Sequence, residues 1–274
     1  MFVKQYRWSI FIRTALMYGA AQILALLVAH DLRSIIVPQY HFGQEISLLA
    51  FLGYFAIGTV GLLVLMRLYK GGWPYRLFFY SVVIWGIMIV FERIFPLWIG
   101  ISIALIYALA MTLVPVVWVH DLAIVVASAG IGASFGMQFA WPMVVALMGV
   151  LSVYDIVAVY YTKHMIAMAH AMLERHAIFA LFIPGKERGF FQNIKSVQPG
   201  SGFMLLGGGD IVIPMFLAVS ALDISPIAAV AVVAGSLLGL LGNHITLMRN
   251  PRPLPALPGI TAGACLGLII GMLL

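Results

Sequence analysis

The sequence predicts an all-α polytopic membrane protein of nine transmembrane helices, and three observations lead there. The first is composition. Of 274 residues, 64% are hydrophobic and 9% charged, with a mean hydropathy of +1.09, so there is too little polar surface to coat a water-soluble particle. The second is segment length: the apolar stretches run about 20 residues, which at 1.5 Å per residue matches a hydrocarbon core about 30 Å thick, and they lack the alternation of barrel strands. The third is charge asymmetry. Of the fifteen Lys and Arg residues, only two, Arg33 and Arg93, fall on one side of the nine-span scheme. Cytoplasmic loops are enriched in these residues, so the N-terminus is expected inside and the C-terminus outside.

In order, the spans are Ile10 to Ala29, Ile46 to Met66, Leu77 to Phe95, Leu97 to Trp118, Leu122 to Phe139, Pro142 to Tyr161, Phe203 to Leu222, Pro226 to Leu247 and Leu254 to Leu274. The first has the basic lead MFVKQYRWSI but no small-residue cleavage site after it, so it reads as a retained helix rather than a removed signal peptide. Pro96 divides the third from the fourth, His120 and Asp121 read as a loop before the fifth, and Ala140 divides the fifth from the sixth. Asp223 reads as a cap for the helix opening at Pro226, and PALP at 255–258... opens the ninth as a proline-marked helix entry. The organisation is a single membrane domain: residues 1–161 carry six spans, 162–202 form a cytoplasmic connection, and 203–274 carry three. Within the connection, HMIAMAHAMLERHAIFALF has helical propensity, while PGKERGFFQNIKSVQPGSG is rich in Gly, Pro and charge and reads as a mobile loop.

The net charge of +6 is explained by topology and calls for no nucleic-acid partner. The inner basic loops favour anionic lipid headgroups. The single cysteine, Cys265, excludes a disulfide within the chain and reads as a small packing residue.

Two carboxylates stand out because an ionisable group inside a membrane span costs roughly 2.5 to 3.5 kcal/mol on insertion scales and marks a functional site by default. Asp155 lies in VLSVYDIVAVYY and Asp210 in FMLLGGGDIVIPMF. Each sits about 10 Å below the cytoplasmic face at helical rise, so the two can meet. Paired carboxyls that share one proton supply a base for a water and an acid for a carbonyl oxygen. That chemistry hydrolyses a peptide bond with no metal, thiol or hydroxyl nucleophile, and no cofactor is expected. Gly207, Gly208 and Gly209 clear the approach to Asp210, and Pro214 weakens the helical ladder beyond it. A substrate helix must unwind locally, and its freed backbone groups need partners, for instance by adding as a strand beside a glycine-bearing segment.

Tyr154-Asp155 in span six, Gly207-Gly208-Gly209-Asp210 as a G-x-G-D match in span seven, and Pro255-Ala256-Leu257 opening span nine resemble the three motifs of the presenilin and signal peptide peptidase family of intramembrane aspartyl proteases. The resemblance covers essentially the whole chain. It implies Asp155 and Asp210 as the catalytic pair, with Tyr154, the three glycines and Pro255, Ala256 and Leu257 lining the site. It also implies six helices in a horseshoe around the last three, and transmembrane-helix substrates; no obligatory protein partner is inferable from it. The inside N-terminus resembles presenilins rather than signal peptide peptidases, and the compact length resembles microbial homologues, which places the chain in a prokaryotic plasma membrane. The connection lacks a long cleavable insert.

Read without the resemblance, buried aspartates also suit a proton-coupled transporter or channel, although no repeat or outward acidic chain accompanies them. A prepilin peptidase shares a G-x-G-D acid but cuts near the aqueous surface, and no cytoplasmic partner aspartate is placed for it. No G-x-S-G occurs to suit a serine rhomboid. Other polar residues have structural readings. Glu92 and Arg93 form a rim ion pair, Arg13 snorkels to the inner headgroups, and Asn243 and His244 hydrogen-bond between helices rather than shape the cleft. His164, His170 and His176 do not share a helix face and make no metal site. Gly235, Gly239 and Gly242 in span eight, with Gly263, Gly267 and Gly271 in span nine, form small-residue packing seams.

Overall fold

The computed structural model describes residues 8–36, 72–161, 178–197, 202–250 and 252–274, together with residues 49, 50, 53, 54, 57, 58, 60, 61 and 64. Eight α-helices are delimited: α1 Trp8–Ile36, α2 Trp73–Phe91, α3 Leu97–Leu113, α4 Val117–Gly136, α5 Trp141–Ile156, α6 Gly208–Ser220, α7 Pro226–Arg249 and α8 Leu257–Leu273. They correspond to the expected spans except the second, whose described residues are helical but whose remainder lies outside the described residues. Also outside are residues 162–177, which include His164, His170 and His176. Among the described residues, five stretches are long and apolar enough to cross a membrane, and α3 and α8 are shorter apolar helices.

The faces of α1 report the surroundings. Ile12, Leu16, Ile23 and Leu27 are each more than half exposed, while Thr14, Tyr18, Ala21, Gln22 and Ala25 are buried. Polar groups therefore point inward and large aliphatics outward, the polarity of a helix in lipid rather than water.

Glycine sets how closely helices approach. A Cβ at Gly235 would collide with the Gly263 carbonyl, and one at Gly267 would lie 3.1 Å from Val232 Cα. The α7–α8 seam is therefore backbone on backbone, as the glycine spacing predicts. Gly242 is the exception, with open space around it. A second seam was not expected: Gly86 of α2 and Gly130 of α4 abut each other's helix backbone.

Three boundaries correct the sequence reading. His120 and Asp121 lie inside α4 and are buried, because the break falls earlier, at Pro115, which has no N–H to continue a helix. The seventh helix does not begin at Phe203: Phe203–Gly207 is a strand, β2, and α6 starts at Gly208. Its partner β1, Ala180–Pro184, comes from a segment with helical propensity. The two pair antiparallel, Ala180 opposite Gly207 and Pro184 opposite Phe203. Tertiary hydrogen bonding overrides local propensity here, since β-branched and aromatic residues suit a pleated, half-buried surface.

The predicted mobile loop is also tied down where described. Short 3₁₀ turns at Glu187–Phe191 and Ile194–Ser196 are stapled to the start of α4. Val117 N–H donates to the Gln192 carbonyl at 3.1 Å, and Ile194 N–H to the Pro115 carbonyl at 2.8 Å. The chain re-enters the sheet at Gly202, whose φ of 98° favours glycine, and its carbonyl accepts from Gly185 N–H at 2.8 Å.

Candidate functional site

The site is assembled where α5, β2–α6 and the entry of α8 meet. Asp155 is buried near the C-terminal end of α5, where the helix passes into a π-helical turn, Val157–Tyr161. Such turns interrupt regular helices and are frequent at functional sites. The backbone N–H of Leu257 donates to Asp155 Oδ2 at 3.2 Å, which satisfies one orphan donor of the α8 N-terminus. One turn back along α5, Ser152 Oγ donates to Thr261 Oγ1 at 2.9 Å. These two rungs run antiparallel and fix the α5 carboxyl relative to α8.

Asp210 occupies the third helical position of α6. Its carboxyl reaches back to the backbone of Gly207 and lies within electrostatic range of Asp155. An acid in the first turn of a helix faces unpaired N–H groups and the positive end of the dipole. The three glycines before it differ in role. A Cβ on Gly208 would overlap the Phe179 ring and lie 2.7 Å from the Phe179 carbonyl, to which Gly208 N–H donates at 2.8 Å. A Cβ on Gly207 would lie 3.1 Å from Asp210 Oδ2, whereas Gly209 is exposed and would meet only Ile213 Cδ1, at 3.7 Å.

Pro255, Ala256 and Leu257 enter α8, with Leu257 buried. Asn243 Nδ2 donates to the Ala256 carbonyl at 2.6 Å, so Asn243 braces this entry by the expected interhelical bond. Tyr154 is 52% exposed and points away from the packed interior. His244 does not make the expected interhelical hydrogen bond: it is buried against Phe11 and Trp8, and neither ring nitrogen has a hydrogen-bond partner among the described residues. Asp223 does not cap α7: Ser225 Oγ accepts from Ala228 N–H, and Asp223 instead pairs with Arg33 at 2.8 Å. Arg13 does not snorkel outward but donates to the Pro184 carbonyl at 2.8 Å. Glu92 and Arg93 are paired at 3.4 Å.

Two residues near Asp210 were missed by sequence. Tyr18 of α1 is fully buried within electrostatic range of Asp210, beside Gln22 and Ser236. Gln22 Nε2 approaches the Ile211 carbonyl at 3.5 Å. Their signal was a polar stripe, Thr14, Tyr18 and Gln22, at four-residue spacing on one helix face. Among the described residues, no group of three His, Cys, Asp or Glu side chains is placed to hold a metal.

A family model described as signal-peptide peptidase, presenilin aspartyl protease matches residues 15–274. Among solved structures, the fold is similar to a presenilin family intramembrane aspartate protease crystallised in space group C222, at 23% identity and a TM-score of 0.65, covering 96% of this chain and 98% of that one. A structure of a presenilin family intramembrane aspartate protease in space group P2 gives 24% identity and a TM-score of 0.63, covering 94% and 95%. No curated protein matches. The family match over nearly the whole chain and the shared fold lead to one conclusion: the chain belongs to the signal-peptide peptidase and presenilin family, and is an intramembrane-cleaving aspartic endopeptidase.

Proposed function

We propose that Asp155 and Asp210 are the catalytic pair of this protease. One carboxylate takes a proton from a water lying between them while the other, protonated, donates to the scissile carbonyl oxygen. The water oxygen bonds to the carbonyl carbon, and collapse of the tetrahedral intermediate breaks the C–N bond with proton transfer to the leaving nitrogen. The observation that carries this reading is the approach of two acids on different helices, each with its carboxyl set against a backbone segment, Leu257 for one and Gly207 for the other. Backbone donors orient a carboxyl without adding a competing charge.

The substrates in this reading are single-pass transmembrane helices, unwound at the cut. Ladder contacts between β1 and β2 run through the pairs 183/204 and 181/206, flanked by the bonds at 185/202 and 179/208. Successive strand residues face opposite edges, so the N–H and C=O groups of Phe203 and Leu205 face outward. An extended substrate segment added there leads directly to Gly207 and Asp210, with Gly209 open above it. Tyr154, the three glycines, Pro255, Ala256 and Leu257 line the path. The full arrangement in this reading is nine spans, six of them a horseshoe around the last three, with residues 162–202 cytoplasmic. The N-terminus is cytoplasmic and the membrane a prokaryotic plasma membrane.

Asp155→Asn and Asp210→Asn should each abolish release of peptide from a detergent-solubilised helical substrate while the protein stays folded. Undiminished release from both variants ends the reading. A transporter using the same aspartates is the other class consistent with the residues, and family membership favours proteolysis. It would show as flux into proteoliposomes lost in the same variants.

A further inference from the structure

The outer edge of β1, the one turned away from β2, is closed by side chains from two other helices. Ladder parity turns Ala180, Phe182 and Pro184 to that edge. His120 Nε2 donates to the Ala180 carbonyl at 3.1 Å. Asp121 Oδ1 accepts from Phe182 N–H at 2.9 Å. Arg13 Nη1 donates to the Pro184 carbonyl at 2.8 Å, and Pro184 itself has no N–H. The three contacts fall on alternate residues of one strand, two from α4 and one from α1.

The catalytic reading uses none of these three side chains. Asp121 is completely buried, and its Oδ2 has no hydrogen-bond partner among the described residues, an arrangement that hydrophobic packing alone would not retain. His120 is buried between the Phe79 and Phe182 rings, at 5.9 and 5.3 Å between centroids. From this clamp a continuous path of bonds runs to the acid. α4 fixes β1, β1 fixes the register of β2, and β2 passes through Gly208 and Gly209 into Asp210.

We infer that His120, Asp121 and Arg13 are positioning residues that hold the β1–β2 register, and thereby determine which peptide bond of the substrate meets the catalytic pair. The inference rests on the proposed pairing of substrate with β2. By closing β1, the clamp leaves β2 as the one edge of the sheet for an incoming strand. By fixing register, it makes the cut fall at one bond. A sheet whose register loosens shifts by two residues, because a shift of one would turn every side chain to the wrong face.

The test compares purified full-length wild type, Asp121→Ala, Asp121→Asn, Arg13→Met and Asp210→Asn on one transmembrane peptide, with products identified by mass spectrometry. Asp121→Ala should cut the rate at the wild-type bond by about 10²-fold, the loss that accompanies a displacement of about 1 Å, and add products displaced by two residues. Asp121→Asn keeps an acceptor for Phe182 N–H and should restore the single cut. Arg13→Met, at the far end of β1, should give the same displaced products in smaller proportion. Should Asp121→Ala not fold, Arg13→Met alone decides. Reduced yield with an unchanged cleavage position in every folded variant overturns the inference and assigns the three residues to stability only. Peptides N-methylated at successive positions separate this from the underlying reading: wild-type cleavage lost with a period of two supports pairing on β2, and loss without periodicity removes that pairing. Asp210→Asn should yield no product at any position; product from it removes the catalytic assignment itself.

Discussion

Leu257, the first helical residue of α8, donates its backbone N–H to Oδ2 of Asp155 at 3.2 Å, across 102 positions of sequence. The same carboxyl is therefore part of the packing and, in the reading above, part of the chemistry. Asn at 155 retains an oxygen acceptor and Ala does not. Asp155→Asn is expected to unfold at nearly the wild-type temperature while losing activity, and Asp155→Ala to be less stable than Asn by about 1 kcal/mol, the net contribution of one hydrogen bond. Thermal unfolding in detergent beside a cleavage assay separates the two effects.

Ser152 and Thr261 make the second rung between α5 and α8. Thr261→Val conserves shape and removes the hydroxyl, leaving Ser152 without its partner. Interhelical hydrogen bonds in membranes contribute about 0.6 kcal/mol on average and up to about 1.7, so a stability loss in that range is expected, with kcat reduced because Asp155 is less firmly held. An unchanged kcat would show that the Leu257 contact alone suffices to orient the acid.

The glycines preceding Asp210 should respond in opposite ways. Gly208→Ala drives a methyl into the Phe179 ring and carbonyl, so the sheet must separate from the start of α6, at a cost of about 1 to 3 kcal/mol for overpacking. Activity should fall with stability. Gly209→Ala meets only an ordinary contact with Ile213 and gains helix propensity, so stability should hold or rise by up to about 1 kcal/mol. Activity lost from a stable Gly209→Ala enzyme would place the substrate against that position, which product formation at fixed enzyme concentration measures.

Along the α7–α8 seam, Gly263→Ala inserts a Cβ against Gly235 and Gly239 backbone and should destabilise by about 1 to 3 kcal/mol. Gly242→Ala, with open space around it, should not. Equal melting temperatures for the two variants would mean that the helices separate without penalty.

The pair formed by Arg33, in the last turn of α1, and Asp223, just beyond the C-terminal end of α6, offers a contrast. Its short 2.8 Å distance accompanies an aspartate side chain 62% exposed, and exposed ion pairs contribute about 0 to 1 kcal/mol. Asp223→Asn should shift unfolding by no more than that and leave cleavage unchanged.

Composition and the period of the apolar segments determined by themselves that the chain is a helical membrane protein, because lipid accepts a long run of side chains only when they are apolar and the backbone is bonded within the segment. Rarity in that solvent singled out Asp155 and Asp210, and spacing in the last two spans foretold the α7–α8 contact at Gly235 and Gly263. Only the folded chain decided the rest. Phe179–Phe182 have local helical propensity and Phe203–Gly207 continue an apolar run, yet residues 180–184 and 203–207 form strands, since their backbone groups bond to each other and to His120, Asp121 and Arg13 from helices far away in sequence. Propensity is a local quantity, whereas hydrogen-bond satisfaction in a buried site depends on which distant groups arrive beside it.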